Sequence, residues 1–317
     1  MTPASEIDEL IAKLGSGEST LAITSLGPSV TGDFVCTGAD LLRILEAQPF
    51  VGPDDLYEGI AFGGRVVDDF VVPEGTVLRH CALVIGGDVD GDVIIDGQIG
   101  DVAFHDYPMG LSITGEVGGS VVCNGTVIGE LSTFEVAGDI VIAGSLLKGF
   151  YTGREVQGDV RVLETATLRG CLVRQRLGGN IHISGTAEKV EVSELVEGVC
   201  VIDGTVSDGL HLNHSSLVRE LVITEGATLG RVYLHGAEGQ IERAEIAGAI
   251  DGLNVASVAG TVHVTASAHI DMLRMQVPLG NKLRIDPAAT VREVQIRNPD
   301  ESSKQVWLDA GKDYLHE

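Results

Sequence analysis

Nine histidines and 46 carboxylates in a chain of 317 residues are the groups with which this sequence could do chemistry. Two sets stand out by spacing. His211 and His214 lie close together, and His214 and His235 each fall sixteen residues after the start of a repeat described below. Imidazoles stacked on neighbouring strands suit Zn, Cu or Ni. The competing reading is chance placement of histidines on a repetitive surface. The stretch "GGDVDGDVIIDGQIGDVAFHD" carries Asp88, Asp90 and Asp92 at alternate positions, which on one extended strand would share its outer face. An EF-hand needs Gly at loop position six and Glu at twelve. Val93 and Ile99 stand there instead. A looser Ca²⁺ site and a solvated strand face both remain open. No nucleophile elbow, H-E-x-x-H, phosphate loop or dinucleotide fingerprint occurs in the sequence. No catalytic residue and no cofactor is therefore expected.

These side chains must be carried by something, and the sequence is repetitive. Repeats start at Gly91, Gly119, Gly138, Gly158, Gly179, Gly198, Arg219, Gly239, Gly260 and Gly280, with one step of 28 residues and then steps of 19 to 21. Within a repeat, apolar residues come in pairs two apart. The repeat from Gly158 has Val160/Val162, Ala166/Leu168 and Cys171/Val173. That from Arg219 has Leu221/Ile223, Ala227/Leu229 and Val232/Leu234. That from Gly260 has Val262/Val264, Ala268/Ile270 and Leu273/Met275. A period of two marks a strand with one buried face. Three short strands per turn of about twenty residues, repeated about ten times, predict an all-β fold: a parallel β-solenoid, or β-helix. Hairpins of a β-sandwich are disfavoured, because Asn-Gly occurs once, at Asn124-Gly125. Gly97, Gly125, Gly144, Gly185 and Gly204 fall six residues after their starts, at corners where positive φ or close approach of the next turn requires glycine. In the same columns His182 and His263 lie four turns apart, too far to cooperate.

The ends read differently. "SEIDELIAKLG" puts Ile7, Leu10, Ile11 and Leu14 at helical spacing, with Ser5 and Asp8 as a capping pair, and "ADLLRILEAQP" predicts a second helix stopped before Pro49. Residues 1–63 are thus expected to form a small α-containing cap or docking region. Residues 64–300 form the solenoid, and residues 301–317 a capping tail in which Trp307, Tyr314 and Leu315 cover the last turn. Within the long repeat, "HDYPMG" marks an inserted loop, and Phe104, His105, Tyr107 and Met109 are its candidate contact residues.

Charge narrows the partners. Residues 1–160 hold 25 acids and 6 bases, while residues 161–317 hold 21 and 15. Such a field repels nucleic acid and anionic membrane and steers basic partners to the N-terminal half. Five cysteines make no paired framework, and Cys123, Cys171 and Cys200 sit in apolar runs. With no apolar run of membrane-spanning length and an acidic N-terminus, the expected location is the cytoplasm, or a virion assembled there.

The runs "VDGDVIIDGQIGDV" and "GEVGGSVVCNGTVIGEL" resemble bactofilins, across roughly residues 87–145. The resemblance implies a cytoskeletal β-helix that polymerises end to end without nucleotide, and it assigns no functional residue here. The leading expectation is a non-enzymatic structural or interaction scaffold, self-associating as a homo-oligomer or docking a basic protein through its acidic surface. Alternatives are a tailspike-like host-recognition protein and a polysaccharide-acting or metal-dependent β-helix enzyme.

Overall fold

A computed structural model describes residues 1–16, 34–47, 60–79, 83–100, 109–174, 176–212, 217–235, 241–257, 260–276, 283–297 and 308–310. The fold is a parallel β-solenoid of about ten turns. It divides into two compact units, Met1–Asp159 with Thr165–Arg169, and Val160–Glu164 with Gly170–Glu317.

In the N-terminal unit each turn is broken into short strands. Phe70–Val72, Val93–Ile95, Val121–Cys123 and Ile140–Ile142 stack in parallel as one face, Val93 opposite Phe70 and Val121 opposite Val93. Each buries its first and third residues and turns its second outward. Val77–Leu78, Gln98–Ile99, Thr126–Val127 and Ser145–Leu146 form a second face. Leu83–Ile85, Met109–Val117, Glu130–Val136 and Gly149–Thr152 form the third. Strand Ile60–Phe62 pairs with Leu83–Ile85, so the coil already runs at residue 60, ahead of the expected boundary at 63/64.

The inward pairs named from the sequence are buried throughout. Val160, Val162, Ala166, Leu168, Cys171 and Val173 are at most 2% exposed, as are Leu221, Ile223, Ala227, Leu229, Val232 and Leu234. One start is misplaced. Leu221 pairs with Ala244 and Ile223 with Ile246, so the turn assigned to Gly239 turns Ala244 and Ile246 inward, three residues later than Ile241 and Arg243. Ile241 is itself buried, at the front of a longer strand opposite Val218, and that apolar residue drew the alignment forward. The start at Gly280 is likewise one residue early, since Val262 pairs with Leu283.

The corner glycines are required by closeness. A Cβ on Gly125 would lie 1.9 Å from the carbonyl oxygen of Gly97, and one on Gly144 would lie 1.8 Å from that of Gly125. Gly204 stands in the same relation to Gly185, at 2.2 Å. Real Cβ atoms do not tolerate such contacts, so the rungs close only where the residue stacked on that carbonyl lacks one.

Helix α1 spans Ala4–Ser16 and α2 spans Gly38–Ala47. Ser5 lies inside the first turn of α1 instead of capping it, because the Ile7 N–H already donates to the Pro3 carbonyl. In α2 Thr37 is the cap: its hydroxyl accepts the Asp40 N–H at 3.1 Å and donates to the Asp40 carboxylate at 2.8 Å. Gly38 starts α2 against the first rung, where a Cβ would lie 1.9 Å from the Asp69 carbonyl oxygen. Leu41, Ile44 and Leu45 are buried beneath it. Strand Val35–Cys36 adds in parallel to Arg65–Val66. The N-terminal segment therefore covers the first turn.

In the C-terminal unit, Thr205–Leu212, Thr228–His235, Ala249–Ser257, His269–Gln276 and Thr290–Arg297 stack in parallel as strands of eight or nine residues. The second and third faces here run together through a bend at Gly209 (φ +138°), Gly230 and Gly252. Leu308–Ala310 closes the stack as an antiparallel strand on Thr290–Arg297. Trp307, Tyr314 and Leu315 lie outside the described residues. Among the described residues no helix is long and apolar enough to cross a membrane.

Burial raises the thiols of Cys36, Cys123, Cys171 and Cys200 to about 12, which leaves them protonated core residues at neutral pH.

Candidate functional site

Asp88, Asp90 and Asp92 do not share a strand. Only Val89, buried and bridged to Val66 and Val117, belongs to the ladder. Gly86, Gly87 and Gly91 around it turn the stretch into a corner, so each carboxylate goes to its own partner. The Asp88 Oδ1 accepts the Glu116 N–H at 2.9 Å. Asp90 takes Arg65 in a two-pronged pair, Nε and Nη2 each 2.9 Å from a carboxylate oxygen. The Asp92 Oδ1 accepts the Ser120 N–H at 2.7 Å.

Asp92 belongs to a column that sequence reasoning missed. In several turns the residue just before the first strand offers a side-chain oxygen to the backbone N–H of its counterpart in the next turn. Asp69 receives Asp92 at 2.8 Å, Asp92 receives Ser120, Ser120 receives Asp139 at 3.1 Å, and Asp139 receives Asp159 at 2.9 Å. In the C-terminal unit Asn180 receives Val199 at 2.9 Å. The sequence signal was a residue with a side-chain oxygen directly after the starting glycine in Gly91-Asp92, Gly119-Ser120, Gly138-Asp139, Gly158-Asp159 and Gly179-Asn180. These oxygens satisfy N–H groups at a corner where the strand ladder is interrupted.

Beside this column Arg65, Asp88, Val89, Asp90, Glu116 and Gly118 line a recess of about 270 Å³. Three carboxylates face one guanidinium there, and Asp90 already holds it.

His211 faces an aromatic ring instead of a second imidazole. It lies opposite Glu191 and Tyr233 in register, with its ring centroid 4.5 Å from that of Tyr233 and the planes tilted by 42°. Its pKa is lowered, first by burial and then by the charge of Lys189, against the opposing pull of Glu191 and Asp208. Protonation is disfavoured by this setting. His214 lies outside the described residues, as does the side chain of His235, whose backbone pairs with Ser257. Phe104, His105 and Tyr107 are also outside them, and Met109 opens the strand Met109–Val117 opposite Glu130. His182 and His263 stand in one column separated by Val201, Val222 and Glu245, as their spacing predicts. Among the described residues no group of three His, Cys, Asp or Glu converges as a metal site.

A second concavity lies in the C-terminal unit at the bend of the long strands. It measures about 460 Å³ and is lined by residues of four successive rungs: Ser207 and Asp208, Gly230 and Arg231, Asp251, Gly252 and Asn254, and Met272 with Arg274.

No family model matches the chain, and no curated protein and no solved structure matches it either.

Proposed function

We propose that the chain is a non-enzymatic interaction scaffold that docks a basic protein partner on the acidic surface of its N-terminal half. The observation that carries this reading is charge left without counter-charge. Residues 1–160 hold 25 carboxylates against six cations. Four of the six, Lys13, Arg43, Arg65 and Arg154, are already in ion pairs with the chain's own acids. The remaining field acts outward, and a field of one sign raises encounter rates with a partner of the other. The recess at Asp88 and Glu116 gives that field a foothold of the size of a Lys or Arg side-chain terminus. Parallel rungs repeat every ~4.8 Å, so acidic groups recur in rows that an extended basic segment can follow. The helical cover at one end and the antiparallel strand at the other favour docking over end-on stacking of copies.

The test is fluorescence anisotropy of a labelled Lys/Arg-rich peptide with the full chain at low and high salt, with light scattering on the chain alone. Binding is expected to weaken by about tenfold or more at high salt. The double variant Asp88→Asn/Glu116→Gln is expected to weaken it about threefold, the scale of exposed ion pairs. Asn at 88 keeps an oxygen for the Glu116 N–H, so the fold is retained. Salt-independent binding, or binding unchanged in the double variant, overturns the proposal. Ordered self-assembly without peptide replaces docking with self-association.

A further inference from the structure

The concavity at the bend of the C-terminal strands has the properties of a small-molecule site. Its volume of about 460 Å³ falls within the range of ligand pockets. It exists because glycine stands where a side chain would fill it. A Cβ on Gly252 would meet nothing nearer than Arg231 Cγ at 3.6 Å, whereas Gly230, also in the lining, is buried against the Ser207 carbonyl. Asn254 lines it and is 9% exposed, yet its amide has no hydrogen-bond partner among the described residues. Solvent reaches this amide, so its donor and its acceptor are open to a ligand that displaces that water.

The charges of the lining identify the ligand's class. Asp208 and Asp251 oppose Arg231 and Arg274, two of each sign. Asp208, Arg231 and Asp251 form no ion pair among the described residues, and the Arg274 Nε is held by Gln295 at 2.9 Å. An anion entering here meets two carboxylates, and a cation meets two guanidiniums. A hydroxyl group suits both, since it donates to a carboxylate and accepts from a guanidinium or an amide N–H. Met272 adds an apolar wall for C–H groups. We propose that this groove binds a neutral saccharide, with Asn254 at its floor and the Asp and Arg side chains gripping hydroxyls. The site lies wholly within the C-terminal unit and is independent of the acidic docking surface.

The test is saturation-transfer NMR followed by calorimetry on the full chain with maltohexaose, cellohexaose and chitohexaose. Inorganic phosphate, spermidine and diglycine serve as the anionic, cationic and zwitterionic probes. At least one hexasaccharide is expected to bind. Gly252→Leu, which fills the groove on a backbone of ordinary φ, is expected to weaken it about tenfold or more, as the loss of one good polar contact would. Arg231→Gln, at an exposed side chain, tests the grip without touching the rungs and is expected to weaken binding several-fold. The inference is overturned if none of the three sugars binds. It is also overturned if binding is unchanged in both variants, or if a charged or zwitterionic probe occupies the groove in preference to sugar.

Discussion

The two halves of this solenoid bury the same inward pattern and differ in what covers it. In the N-terminal unit short strands are separated by tight corners, with stacked glycines at one and side-chain oxygens capping the interrupted ladder at another. In the C-terminal unit two faces merge into strands of eight or nine residues that bend without breaking. Charge follows the same division. Arg176 pairs with Glu197, Arg243 reaches both Glu220 and Glu245, and Arg292 pairs with Asp271, each across or along the rungs. Residues 1–160 have too few cations for such neutralisation. One inward pattern thus supports two surfaces, one broadcasting charge and the other balancing it around a groove. The inside of a solenoid sets its coil, and the residues between inward positions are free to set its partners.

The sharpest way to break that comparison is to put the same methyl group into each half. Gly144→Ala places a carbon 1.8 Å from a backbone carbonyl oxygen, and only a shift of the rungs relieves it. Overpacking of that kind costs about 3 kcal/mol and lowers the thermal midpoint by roughly 5–10 °C. Gly252→Ala has 3.6 Å of clearance and is expected to be neutral or slightly stabilising, by up to ~1 kcal/mol. Thermal unfolding followed by circular dichroism decides it. Equal losses in the two variants would mean that Gly252 is packed like Gly209 and Gly230 beside it, which lie close against the carbonyls of Arg231 and Ser207, and the open groove at the bend would fall.

Much of this is legible in the sequence. The inward pairs repeat because each turn must bury the same columns, and side-chain period two is visible wherever only apolar residues fit. Legibility failed where a second principle competed. Ile241 is apolar and buried but belongs to the extension of its strand, so pattern alone placed the turn three residues early. Asp88, Asp90 and Asp92 alternate as on a strand, yet the surrounding glycines make a corner in which each serves a different partner. The groove left no local motif, since its residues come from four rungs 20 to 23 residues apart in sequence. Its trace is the pair of residues after each inward Val206, Leu229, Ile250 and Ile270, namely Ser-Asp, Gly-Arg, Asp-Gly and Asp-Met, and it is seen only when the turns are stacked.

A smaller effect sharpens the account of the corners. Asp92→Ala removes the acceptor of the Ser120 N–H while leaving a backbone that alanine can adopt. The expected loss is ~1 kcal/mol, with the Ser120 amide exchanging with solvent deuterium several-fold faster than before. Asp92→Asn keeps the oxygen and removes a charge from a column that also holds Asp69, Asp139 and Asp159, so it is expected to retain stability. If Asn proves as damaging as Ala, the charge and not the acceptor holds the corner, and the column would be an electrostatic device.

The smallest effect concerns the C-terminal surface. Arg243 lies 3.6 Å from Glu220 and 2.9 Å from Glu245, with its side chain 60% exposed. Pairs so exposed contribute ~0.5 kcal/mol, because water already solvates both charges and salt screens what remains. Arg243→Gln is therefore expected to lower stability by about that amount at low salt and by nothing measurable at ~1 M salt, where the screening length falls to about 3 Å. The change reports the balance of the surface and not the strength of the coil, which rests on Ala244 and Ile246 beneath it. A loss of ~2 kcal/mol or more that persists in high salt would show that Arg243 packs as part of the wall, and charge balance would no longer distinguish this half from the acidic one.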